Sequence, residues 1–124
     1  MRVVLTDREA EFMEVLWDHG PSTVAEVQDK LRDDPAYTTV LTILRNLEGK
    51  GYVGPTKDGR AHRYSALVER DSARRSAIRD LSAKFFKGSA EQLMTHLVSS
   101  HKLSDSQLER IQQLLDERRK KEPK

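Results

Sequence analysis

Apolar residues fall at helical spacing through the first fifty positions and again beyond position 70, with a stretch of another kind between. Phe12, Met13, Val15, Leu16 and Trp17 follow Thr6-Asp7-Arg8-Glu9. That tetrad is a capping box, in which the threonine hydroxyl and the glutamate carboxylate each satisfy the other's backbone N–H. A helix is expected to open there and to end at Gly20-Pro21. Trp17 lies within the apolar stripe and reads as core. Thr23-Val24-Ala25-Glu26 is a second capping box; Val24, Val27 and Leu31 follow at i, i+3 and i+7, and Asp33-Asp34-Pro35 breaks the pattern. A third helix is expected from about Tyr37 to Lys50, with Gly51 as its left-handed cap. Three short helices, the last two nearly adjacent, match a helix-turn-helix unit.

The stretch from Tyr52 to Ser65 has no helical period. Asp58-Gly59 is a two-residue hairpin signal, and Pro55 argues for an edge strand. A two-stranded hairpin is marginal alone and must lean on the helices; directly after a helix-turn-helix it is a wing. From Glu69 onward the pattern is helical again. Ile78, Leu81 and Phe85 form one stripe before Lys87-Gly88 interrupts. Ser89 opens a second segment with Leu93 and Leu97, and Ser104 a third with Leu108, Ile111 and Leu115. The expected fold is mainly α with a small β-hairpin: a winged helix-turn-helix DNA-binding domain over 1–68, then a helical dimerisation region over 69–124. The boundary is placed near Leu67–Asp71.

Charge sharpens this reading. The formal net charge is +2, but residues 1–35 carry four Lys/Arg against nine Asp/Glu, whereas residues 36–65 carry five against two. A basic segment beside an acidic one suggests a surface facing a polyanion on one side only. On a helical wheel Val40, Leu44 and Leu47 point one way, with Ile43 alongside; Thr38, Thr42 and Arg45 point the other, flanked by Thr39, Asn46 and Leu41. Such a narrow, donor-rich face suits a major groove: hydroxyls for base edges, methyls for thymine, and an arginine for guanine or phosphate. In the hairpin, Lys57 and Arg60 flank the turn and would reach the phosphate backbone, while Arg63 and Tyr64 serve either DNA or internal pairing.

Other chemistries find little support. There is no cysteine, so disulfides, thiolate metal sites and a cysteine nucleophile are excluded. No run of 18 apolar residues suggests a membrane span, and no signal peptide is read at the start, so a cytoplasmic protein is expected. His19, His62, His96 and His101 form no metal or catalytic set, and no phosphate loop or nucleophile elbow is present. Neither an enzyme nor a cofactor is expected. The apolar stripes of the tail are more surface than about 55 residues hide unaided, so two-fold pairing through Ile78, Leu81, Phe85, Leu93, Leu97, Leu108, Ile111 and Leu115 is expected.

The stretches YTTVLTILRNLEGKGYV (37–53) and DGRAHRYSAL (58–67) resemble the penicillinase repressor family, the BlaI/MecI/CopY group; LTDREAEFMEVLW (5–17) and KFFKGSAEQLMTHLV (84–98) extend the likeness over nearly the whole chain. The resemblance implies a homodimeric repressor of a β-lactam-resistance or stress gene, bound to a dyad-symmetric double-stranded operator. It places Thr38, Thr39, Leu41, Thr42, Arg45 and Asn46 at or near DNA, and Lys50, Lys57, Arg60 and Arg63 on its backbone. In β-lactam-sensing members a membrane sensor protease triggers cleavage in the tail, and the corresponding bond here is His96-Leu97 rather than Asn-Phe. Many members carry a basic residue where this chain has Asn46, and the cysteine pair of the copper-responsive branch is absent. Two alternatives stay open: a winged-helix regulator that senses a small molecule at its dimer interface, and a winged helix that binds only protein.

Overall fold

The computed structural model describes residues 2–58 and 61–121. The chain runs α1 (Asp7–His19), α2 (Val24–Lys30), α3 (Tyr37–Gly49), β1 (Val53–Asp58), β2 (Ala61–Ala66), α4 (Arg70–Phe85), α5 (Ala90–Ser100) and α6 (Asp105–Lys121). Both capping boxes form: Glu9 N–H donates to Thr6 Oγ1 and Glu26 N–H to Thr23 Oγ1, each at 3.1 Å, and each carboxylate accepts the cap's own N–H at 2.9 Å. α3 ends in a Schellman motif. Gly51, at φ 83, sends its N–H to the Glu48 carbonyl, and Tyr52 sends its N–H to that of Leu47.

Two compact units result, Met1–Asp80 and Leu81–Lys124. In the first, α1, α2 and α3 enclose a core of Phe12, Met13, Leu16, Val27, Val40, Leu44 and Leu47, closed by Tyr52 after α3 and by Val53 and Tyr64 from the hairpin. The strands are antiparallel, pairing Val53 with Ala66 through Asp58 with Ala61. Asp58 is therefore the last paired residue of its strand, and the Asp58-Gly59 turn signal runs on into Gly59 and Arg60. Those two lie outside the described residues. Ser22 and Tyr64 exchange backbone hydrogen bonds at 3.1 and 2.8 Å, an isolated bridge that pins β2 to the start of α2.

The compact unit extends further than the boundary read near Leu67–Asp71. Val68 and Ala73 are buried with the core, Ser76 is buried beside Val3, and Trp17 Nε1 donates to the Val68 carbonyl at 2.9 Å. Arg70 at the start of α4 reaches Glu14 at 2.9 Å, hydrogen-bonds Asp18, and stacks over the Trp17 ring. The small residues Ala73 and Ser76 make this packing surface, which is why no hydrophobic stripe announced it.

The second unit takes up the last residues of α4, then α5 and α6. Lys87 and Gly88, both at positive φ, end α4, and Ser89 and Ser104 cap the next two helices. Leu93 is its buried apolar residue among those described, and Ile111 is half-buried. Leu81, Phe85, Met94, Leu97, Val98, Leu108, Leu114 and Leu115 stay exposed, as does Ile78 in the first unit. No helix among the described residues is long and apolar enough to cross a membrane.

Candidate nucleic-acid interface

The face of α3 follows from its burial pattern. Val40, Leu44 and Leu47 are fully buried, and Leu41 and Ile43 lie half-buried at the border of the core. Anchoring one face this firmly turns Thr38, Thr39, Thr42, Arg45 and Asn46 outward, and all five are exposed. No acidic side chain interrupts α3 before Glu48. The Thr42 hydroxyl donates to the Thr38 carbonyl at 2.9 Å. Its proton is thus spent on the helix, and Thr42 presents a methyl and an acceptor to whatever the helix meets. Arg45 and Asn46 make no side-chain hydrogen bond or ion pair with other described residues, so their donors remain for an external partner.

A groove of about 500 Å³ runs between the start of α2, the outer face of α3 and β2, lined among others by Thr23, Tyr37, Leu41, Arg45, His62 and Tyr64. It joins the helix face to the hairpin. Tyr37, half-exposed at the first turn of α3, is a candidate contact that the wheel missed, because attention to the polar stripe passes over an aromatic residue.

Two basic residues assigned to the DNA backbone are occupied within the protein. Lys50 Nζ donates to Glu9 Oε1 at 2.7 Å, and this carboxylate is almost fully buried. Burial pushes the Glu9 carboxyl up, but the Lys50 ammonium and the Thr6 amide together hold it below the ordinary carboxylate range. Lys50 therefore neutralises a buried charge and ties the end of α3 to the start of α1. Arg63 Nη1 donates to Glu26 Oε1 at 2.6 Å. The Thr23 N–H, and after it the Arg63 charge, keep Glu26 ionised below its usual range. Arg63 thus has a pairing role within the chain, where it braces the hairpin against α2. The Lys57 side chain and all of Arg60 lie outside the described residues. His96 packs edge-on against Phe86 at 5.8 Å, and no cluster of metal-ligating side chains occurs among the described residues.

Known proteins match this arrangement. A family profile described as penicillinase repressor matches residues 5–117. The transcriptional regulator BlaI of Mycobacterium tuberculosis is 38% identical over 98 residues, covering 76% of this chain and 71% of that protein. The methicillin resistance regulatory protein MecI of Staphylococcus aureus is 24% identical over 118 residues, covering 92% and 94%. Among solved structures, Bacillus licheniformis BlaI in its monomeric form, in complex with the blaP half-operator, matches at TM-score 0.51 and 27% identity over 58% of this chain and 90% of that one. A MarR family protein from Bacillus stearothermophilus shares the fold at TM-score 0.50 and 19% identity, over 92% and 77%. With the profile running from α1 into α6, this winged-helix chain belongs to the penicillinase repressor family, whose members are transcriptional repressors and not enzymes.

Proposed function

We propose that this repressor works in the cytoplasm as a two-fold homodimer whose paired α3 helices read a dyad-symmetric double-stranded operator. The observation that carries the reading is the outer face of α3: Thr38, Thr39, Thr42, Arg45 and Asn46 stand exposed and together, opposite a fully buried Val40, Leu44 and Leu47. The relative solved on its half-operator supports DNA as the partner. Relatives named as a penicillinase repressor and a methicillin resistance regulator support a resistance gene as the target. Dimerisation is supported by the apolar side chains that the tail leaves in solvent, chiefly Phe85, Leu97, Leu108 and Leu115. Pairing them would set two recognition helices about one DNA turn apart, ~34 Å.

Release from DNA would run through the same tail. A sensor protease cutting at His96-Leu97 would meet that bond inside α5, where the backbone is helical. Proteolysis favours exposed, locally opened chain, so α5 would have to unwind first.

The test is selection of bound sequences from a random DNA pool at moderate salt, with the full-length chain. A two-fold symmetric motif with fixed half-site spacing is expected, bound with an affinity that falls steeply as salt rises. Absence of enrichment at any salt would overturn the reading in favour of a protein partner.

A further inference from the structure

We propose that the segment Arg2–Thr6 is a positioning strap: it fixes α4 against the end of the recognition helix, and so sets the spacing at which a dimer reads its two half-sites. The inference rests on the dimeric reading above. It starts from the two faces of α4. Ala73, Ser76 and Asp80, at i, i+3 and i+7, face the winged helix; Ile78, Leu81 and Phe85 lie on another face and stay exposed. One helix therefore carries both the attachment to the reading unit and the apolar surface proposed for the partner copy.

What holds the attachment is mostly not helix packing. The helices of the winged unit and its hairpin pack extensively on one another, and α4 packs on none of them to that degree. Its start is pinned by Arg70 on Glu14 and Asp18. Its later turns are held by the strap. Arg2 Nε and Nη2 grip the Asp80 carboxylate at 3.2–3.3 Å. The Val3 N–H donates to Ser76 Oγ at 2.9 Å, with the Val3 side chain sunk in the core. The Val4 N–H donates to Tyr52 Oη at 2.9 Å, and the Thr6 N–H to Glu9, which also receives Lys50. Tyr52 and Lys50 both belong to the C-terminal cap of α3. A continuous set of bonds thus runs from Asp80 and Ser76 through the strap to the end of the recognition helix, a physical path that couples two sites. Without the strap, α4 would lose the bonds that Ser76 and Asp80 make to it, leaving Arg70 and the packing of Ala73 near its start to hold it, and its later turns would gain freedom.

The double variant Ser76→Ala/Tyr52→Phe removes the side-chain acceptors of the Val3 and Val4 amides with little change of side-chain volume, and touches no proposed DNA contact. Full-length wild type and variant would be titrated against three duplexes: a half-site, the selected operator, and operators with one or two base pairs added between half-sites. The variant should keep its half-site affinity and dimer mass, bind the full operator about tenfold more weakly, and lose the wild-type penalty for altered spacing. Asp80→Ala, at a largely exposed ion pair whose loss costs little stability, should shift the same quantities about twofold. Unchanged spacing dependence in both variants would overturn the strap, as would an equal loss on half-site and full operator, which marks a purely structural role. A wild-type chain that sediments as a monomer and ignores spacing would instead overturn the dimeric reading, and the strap's role with it.

Discussion

In the winged-helix unit Phe12, Met13, Val27, Val40, Leu44 and Leu47 have no contact with solvent, whereas in the tail Phe85 is 69% exposed, Leu114 64% and Leu115 52%. Both regions are built from helices with one apolar face, several of them opened by a Thr or Ser cap. The difference lies in what covers each stripe. In the first unit, three helices and a hairpin cover one another, so the apolar residues close a core within the chain. In the tail, the apolar residues of α5 and α6 exceed what the two helices bury, and Leu93 is the buried remainder among the described residues. Each large apolar side chain contributes roughly 1.5–3 kcal/mol when buried. The driving force of the first unit is therefore internal, and that of the tail is available to a second copy.

The comparison breaks most plainly at the core. Leu44→Ala should destabilise the first unit by about 2–5 kcal/mol in chemical denaturation, since a fully buried leucine leaves a cavity behind it. Phe85→Asp should do the reverse: the first unit unfolds as in wild type, while sedimentation shows a monomer, a loss of more than ~2 kcal/mol in association if Phe85 is a hot spot. Arg45→Ala should leave both units intact and weaken operator binding by about 1–3 kcal/mol, with relaxed preference at one base pair. The smallest effect concerns pH. Glu9 has its folded pKa lowered, so its contribution is present above the unfolded value of about 4.3 and is lost as pH falls through the folded pKa. Glu9→Gln should lower the midpoint of unfolding at pH 7 and flatten its decline in acid; a variant with an undiminished acid decline would assign that decline to other carboxylates.

Local chemistry was legible in the sequence. Thr6 with Glu9, Thr23 with Glu26, and Gly51 after α3 set helix limits through neighbouring residues alone, and the wheel of α3 separated its buried from its exposed face. Partners distant in the chain were not. Lys50 meets Glu9 across 41 residues and Arg63 meets Glu26 across 37, internal ties that neighbouring residues in the sequence do not announce. The attachment of α4 was hidden because alanine, serine and backbone amides make it. Asp58 pairs with Ala61 as the last paired residue of its strand, a role that the Asp-Gly dipeptide alone does not announce.

Dimeric operator binding is tested by the mass of the protein on its selected operator, measured by sedimentation velocity. Two chains, each of 14.2 kDa, are expected on one duplex, and one chain when the duplex carries a single half-site and the protein bears Phe85→Asp. A wild-type complex that saturates at one chain per full operator would contradict it.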